Sequence, residues 1–294
     1  MMRRRELVTQ VSLFLPAFIL LLVFMVTPFL MAIGLSFTNQ RLIPGPVPTR
    51  FVGWQNYLMM LSDSQFWAGL KNNFVFVLVV VPLQSAFALA LALLVNAKLR
   101  FTRFFRTLYF MPTVTTMVVV SVIWSFLYHP DGLVNSLLSS VSFGHWEAVD
   151  FLRNRSWAFP AIMFMSIWQG VGFQMLIFLA GLQEIPEFLY EAADVDGASP
   201  IRKFWHITLP GLRNTITFVL VSTTILAFRL FDQVMVMTAG GPQDATYTVM
   251  LHMYNTAFRR LNIGYASAMT IAFFLIVLAV SVAQRFVLWE EKEG

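Results

Sequence analysis

Six apolar runs divide the chain, near residues 11–36, 73–97, 107–129, 158–182, 214–238 and 264–288. Each matches the roughly 20 residues that carry an α-helix across a bilayer. The runs hold Pro16, Pro28, Pro82, Pro112, Pro160, Gly170, Gly172 and Gly181. Such residues persist in membrane helices where neighbours re-satisfy the backbone groups they release. The pattern predicts an all-α polytopic membrane protein with six transmembrane helices. No polar connection is long enough for a soluble domain, so residues 1–294 read as a single transmembrane domain.

One polar break, residues 185–210, has the grammar of helix, turn, helix. Pro186 suits a first helical turn, where its missing N–H would be unpaired anyway. Glu187 and Glu191 place carboxylates at the positive helix end. Gly197 permits the left-handed geometry that ends a helix. Ser199 and Pro200 start a second helix, as cap and first residue. Pro210 is expected to close it.

Composition agrees with the pattern. The chain is 58% hydrophobic and 12% charged, against about 25% charged in soluble domains. The net charge of +5 then reflects basic membrane-flanking segments, not a nucleic-acid footprint. Cysteine is absent, so there is no disulfide framework and no thiolate chemistry. The first apolar run exceeds a signal-peptide core of roughly 7–15 residues, and an uncleaved first span is expected.

Lys and Arg set the orientation. With the N-terminus inside, twelve fall on inner segments: Arg3, Arg4, Arg5, Lys98, Arg100, Arg103, Arg106, Arg202, Lys203, Arg213, Arg285 and Lys292. Seven fall on outer ones: Arg41, Arg50, Lys71, Arg153, Arg155, Arg259 and Arg260. Both termini and the 183–213 connection are therefore expected in the cytoplasm. Residues 54–72, with Trp54 and Phe66-Trp67, read as a short interfacial helix that feeds the second span.

The hairpin carries a second signal. Glu191-Ala192-Ala193, three residues, Gly197, nine residues, then Ile207, Leu209 and Pro210 resembles the EAA loop of ABC importer permeases. Asn56-Tyr57, Phe105-Arg106-Thr107 before Pro112, and Phe231-Asp232 with Gly240-Gly241-Pro242 are similar to the carbohydrate-type branch, the maltose and glycerol-phosphate permeases. The likeness covers nearly the whole chain, with a permease core at about 70–288. The chain lacks the large periplasmic insertion and extra N-terminal helices of the maltose type. The resemblance implies a type I importer fold in the inner membrane of a prokaryote. It implies a second permease of similar size, an ATPase dimer that binds ATP and Mg, and an extracytoplasmic solute-binding protein. Glu191, Ala192, Ala193, Asp194 and Gly197 would then couple the chain to the ATPase. The two alanines leave a flat surface, Glu191 and Asp194 offer charges to a basic partner, and Gly197 aims the helix.

This chain shows no sequence pattern for catalysis. It has no phosphate loop of the G-x-x-x-x-G-K-[ST] type and no H-E-x-x-H. His129, His145, His206 and His252 stand at non-ligand spacing, so no metal or cofactor is expected here. The solute path draws on polar groups inside the spans. Ser166, Gln169, Gly170 and Phe173 share one helical face, and Thr223, Leu226, Ala227 and Leu230 repeat that spacing after the hairpin. By the resemblance, the helices flanking the loop line the central site. An aromatic with amides suits a sugar, whose ring has an apolar face and a rim of hydroxyls. Arg229 and Asp232 sit three apart in the fifth run, either as a structural ion pair or on the path. A sugar permease is the expected function. An anion or polyamine permease, an ion-coupled secondary transporter and a scaffold without transport are the alternatives. An exposed Arg229 would favour an anionic headgroup, a paired one a neutral sugar.

Overall fold

The computed structural model describes residues 13–43, 46, 48–97 and 102–290. Arg3, Arg4, Arg5, Lys98, Arg100 and Lys292 of the orientation argument lie outside the described residues, as do both chain ends. In chain order the helices are α1 (Leu13–Ser36), α2 (Gln55–Ser62), α3 (Ser64–Asn96), α4 (Thr102–Val114), α5 (Met117–Leu127), α6 (Leu133–Val141), α7 (Ala158–Glu184) and α8 (Glu187–Val195). Next comes α9, which runs from Pro200–Lys203 through a π-helical turn at Phe204–Thr208 into Leu209–Gly211. Then follow α10 (Arg213–Phe228), α11 (Asp232–Met237), α12 (Val249–Tyr254) and α13 (Ile263–Glu290).

Among the described residues five helices are long and apolar enough to cross a bilayer, and a sixth span forms if one bent pair counts as one. That bent pair corrects the expectation of a continuous helix over 107–129. Phe104–Val114 and Met117–Leu127 meet at 98°. Pro112 supplies no N–H to the preceding turn and crowds the carbonyl four residues back. The helix survives only to Val114, and Thr116 is extended (φ −63°, ψ 142°). Thr113 turns its hydroxyl across to the Gln169 carbonyl at 2.9 Å.

The fifth run is also broken. α10 stops at Phe228 and α11 starts at Asp232, with Phe231 at φ −143°, ψ −61°. Arg229 and Asp232 therefore do not share a helical face. The break releases carbonyls that need donors in a lipid environment. Asn73 Nδ2 donates to the Phe228 carbonyl at 3.0 Å, and Thr248 Oγ1 to the Leu230 carbonyl at 3.1 Å. The Asn73 Oδ1 in turn accepts the Val249 N–H at 3.0 Å. Asn73 and Thr248 are fully buried.

Pro210 does not close its helix. The preceding turn widens, so that the Leu209 N–H reaches the Phe204 carbonyl, and the chain runs past the proline into α10. The same device precedes Pro28, where the Thr27 N–H reaches the Leu22 carbonyl. A π turn leaves room for a ring that an α turn would exclude.

The chain divides into two compact units, Met1–Ser64 with His252–Ile276 and Gln65–Leu251 with Val277–Gly294. In the first, Asn56 donates to the Ser36 and Thr38 carbonyls at 2.8 and 2.9 Å, which ties α2 to the end of α1. The Asp63 Oδ2 lies 2.9 Å from His252 Nε2 and accepts the Tyr265 hydroxyl at 2.6 Å. In the second unit, Ala88, Ala92 and Val95 of α3 meet Met175, Phe178, Leu179 and Leu182 of α7, with Leu212 and Val219 beside them. The alanines let α3 approach closely, the usual packing where lipid gives no hydrophobic drive between helices. Phe66 is buried in this unit, whereas Trp67 is half exposed, so only the tryptophan fits an interfacial role.

Replacing Asn73 by Ala removes the donor to the Phe228 carbonyl at the α10–α11 break and the acceptor of the Val249 N–H at the start of α12, at about 1–3 kcal/mol each. The expected result is a clearly lower melting midpoint in detergent, with the helical content unchanged by circular dichroism.

Candidate functional site

Residues of α3, α4, α5, α7, α10 and the α10–α11 break enclose a cavity of about 350 Å³. From α7 come Ser166, Gln169, Gly170, Phe173 and Gln174, and from α10 Thr223, Leu226 and Ala227. The break adds Arg229, Leu230, Asp232 and Gln233. Every residue named from sequence for the path lines this one cavity, although Arg229 and Leu230 reach it from the irregular break and Asp232 from the start of α11. Arg229 and Asp232 are both exposed to it. Among the described residues no ion pair joins them.

Sequence reasoning missed Phe76, Val80 and Gln84 of α3, Thr113 and Met117 near the α4–α5 bend, and Gln233. Gln84 was legible in principle, as a lone amide within an apolar run is a functional candidate by default. Thr113 and Met117 were not, because they come to the cavity only through the 98° bend. The lining is mixed: Phe76 and Phe173 bring aromatic surface, and Gln84, Gln169, Gln174 and Gln233 bring amides. Gln233 Nε2 donates to Ser166 Oγ at 3.3 Å, and Gln174 donates to Thr223 Oγ1. These bonds join α11 to α7 and α7 to α10.

The second candidate region is the hairpin. Helix α8 begins at Glu187, with Pro186 as its cap residue (ψ 129°). Gly197 adopts φ +71°. Its N–H donates to the Asp194 carbonyl at 3.1 Å, and the Ala198 N–H to the Ala193 carbonyl at 2.8 Å. Ser199 precedes Pro200 at the start of α9. Tyr190 and Thr208 hydroxyls meet at 2.9 Å, and Lys203 pairs with Asp194. Asp194 thus has a partner within the hairpin, and its side chain remains 64% exposed. Glu191 and Ala192 are exposed and Ala193 is half-buried. Phe188, Val195, Ile201 and Trp205 are also exposed, Val195 at 89%. The hairpin thus presents exposed apolar side chains beside four exposed carboxylates, Glu187, Glu191, Asp194 and Asp196.

A Cβ at Gly197 would meet nothing within 4 Å, so a side chain there strains the turn but does not clash within this chain. Gly197→Ala is expected to weaken the hairpin by about 1 kcal/mol. Asn, which tolerates the left-handed region, should weaken it less. Amide hydrogen exchange over residues 187–211 reads the difference.

Residues 84–288 match the family described as binding-protein-dependent transport system inner membrane component. The sulfoquinovosyl glycerol transport system permease protein of Agrobacterium fabrum is 36% identical over 272 residues, covering 92% of this chain and 87% of that protein. The lactose transport system permease protein of Rhizobium radiobacter is 34% identical over 281 residues, covering 94% and 93%. The sn-glycerol-3-phosphate transport system permease protein of Yersinia enterocolitica is 32% identical over 257 residues, covering 86% of each chain. A chain in the crystal structure of a bacterial ABC transporter that imports the acidic polysaccharide alginate superposes with a TM-score of 0.82 at 22% identity, covering 99% of this chain and 98% of that one. The two chains share the fold.

Proposed function

This chain belongs to the binding-protein-dependent transport system inner membrane component family, and on that premise we propose that it is the sugar-conducting permease subunit of an ATP-driven importer. Three relatives are named for the transport of lactose, sulfoquinovosyl glycerol and glycerol 3-phosphate. A structure sharing this fold was solved with an alginate pentasaccharide-bound periplasmic protein. A hydroxyl-rich solute delivered by an extracytoplasmic binding protein suits that company. ATP and Mg would be held by a separate ATPase dimer, with a second permease of similar size completing the path. Both termini and the hairpin would face the cytoplasm.

The observation that carries this reading is connectivity. The helices α7 and α10 supply eight of the seventeen residues that line the cavity and run directly into the hairpin α8–α9. Gln174 stands ten residues before the end of α7, about 15 Å at the helical rise. Between cavity and hairpin the two helices are packed through Phe178, Leu182, Leu212 and Val219. A close-packed pair of this kind transmits displacement and does not absorb it. Closure of the ATPase on ATP would move the exposed hairpin, and α7 and α10 would carry that motion to the cavity as a switch between inward and outward access. Glu191, Ala192, Ala193 and Gly197 would form the docking surface, and the Asp194–Lys203 pair would stiffen it.

The test is purification of the native complex. An ATPase and a second permease are expected to accompany the wild-type chain. Gly197→Asp is expected to release the ATPase or to uncouple its hydrolysis from solute uptake, and Glu191→Ala to weaken coupling. A chain that purifies alone and transports without ATP would place an ion-coupled transporter first.

One observation favours a second reading, an anionic solute. Arg229 is exposed to the cavity and makes no ion pair among the described residues. Arg229→Gln is then expected to reduce uptake of sn-glycerol 3-phosphate at least tenfold in reconstituted vesicles while lactose uptake is retained. Equal loss of both would point to a structural arginine.

A further inference from the structure

On the side of α7 away from the solute cavity, α5, α6 and α7 border an apolar cleft of about 560 Å³. One side carries Val134, Leu137 and Leu138 of α6, the other Pro160, Ala161 and Phe164 of α7. The rings that border it touch in series. Trp157 meets Phe151 at a centroid distance of 5.7 Å, and Phe151 meets Tyr128 at 5.4 Å. Tyr128 meets Trp124 at 5.1 Å, and Trp124 meets Phe164 at 5.7 Å. Tilted and edge-to-face rings at these distances hold one another in place, so the bed stands without an occupant. The Tyr128 hydroxyl is spent on the Ala161 carbonyl at 2.9 Å and does not draw water in. Ordered water needs roughly two to four polar partners, which this lining lacks, and an empty space would forfeit close packing.

The surroundings of the cleft identify its occupant. Helix α7 is long and apolar enough to cross the bilayer, and its faces are divided. Ser166, Gln169, Gly170 and Phe173 line the solute cavity. Pro160, Phe164, Ile167 and Val171 lie on the other side and line apolar grooves. Pro160 and Phe164 belong to two such grooves at once, so the cleft continues along α7. Trp157 immediately precedes α7 and is exposed, where a tryptophan marks the head-group level. Phe164 lies about 10 Å further along the helix and Val171 about 21 Å, against about 15 Å of hydrocarbon in half a bilayer. The cleft therefore begins at the head groups and runs the depth of one leaflet, at the end of α7 remote from the hairpin.

We infer that this cleft is a lipid site that seats one acyl chain of a phospholipid from that leaflet. An ordinary boundary lipid touches a convex helix surface on one side. A chain here lies between α6 and α7 on a bed of rings. The site selects hydrocarbon and not head-group charge, because Arg153 already faces Asp150 at 3.8 Å and Arg155 donates to Gln243 at 3.1 Å. Trp124 and Tyr128 belong to α5, which packs against α11 beside the solute cavity. The chain thus sits behind the path and not in it, and the site is independent of which solute crosses.

The experiment uses the full importer complex in vesicles of phosphatidylethanolamine and phosphatidylglycerol. A trace of phosphatidylcholine with a diazirine in one acyl chain is the probe, and peptide mass spectrometry after irradiation locates the adducts. Residues 157–164 are expected to be labelled at least fivefold more than Leu78 and Phe126, which are exposed on apolar helices but do not line the cleft. Leu138→Trp, which fills the cleft, is expected to remove that excess. Ser140→Trp, on α6 but outside the cleft, is expected to leave it. An excess that persists in the assembled Leu138→Trp complex, or wild-type labelling no greater than at Leu78 and Phe126, would overturn the site. If Leu138→Trp fails to assemble, p-benzoylphenylalanine in place of Phe164 gives a second measurement. An adduct of phospholipid mass is expected, and an adduct with a neighbouring protein chain, or none, would overturn the site.

Discussion

The structure depends on one constraint: in lipid, every backbone N–H and C=O has to find its partner inside the protein. Continuous helices meet it by themselves, and α3, α7 and α13 do so over long stretches. Part of the cavity wall lies where the helix is given up. At the α10–α11 break, Asn73 and Thr248 take over two carbonyls. At the α4–α5 bend, Thr113 turns its hydroxyl to the Gln169 carbonyl of the neighbouring α7. Before Pro28 and Pro210 the chain adopts a wider turn and keeps going. Each solution frees the chain to place side chains where a straight helix could not.

That freedom shapes the cavity. Arg229 and Leu230 come from the break, Asp232 from the start of α11, and Thr113 and Met117 from either side of the bend. The regular helices α7 and α10 supply the remaining polar wall and join it to the hairpin. The Phe178–Val219 region is a close-packed apolar cluster, while the break adds Arg229 and Leu230 to the cavity wall.

Much of this was legible in the sequence because periodicity and spacing are local. The apolar runs fix the number of membrane-crossing elements to within the one bent pair. The spacing Ser166, Gln169, Gly170, Phe173 requires one face if the segment is helical, and α7 is helical throughout. The φ of +71° at Gly197 follows from a glycine at the end of an apolar-polar helix. The pairing of Asp194 was not legible because its partner, Lys203, lies across the turn, and a contact across a turn is settled by tertiary distance. That Arg229 and Asp232 do not lie on one continuous helix was not legible, because nothing in their own neighbourhood ends the helix. The residues that stabilise the break, Asn73 and Thr248, lie far away in the chain.

The sequence by itself determined an all-helical membrane chain, its exposed hairpin and the family it belongs to. Those rest on hydrophobic length, helical period and a short motif, each read over one or two turns. Only the tertiary structure decided which polar residues meet in one cavity, where two helices break, and that an apolar cleft separates α6 from α7. Which side chains line a cavity depends on every neighbour that packs around it, and for the polar one those neighbours come from α3, α4 and α10 as well as from α7.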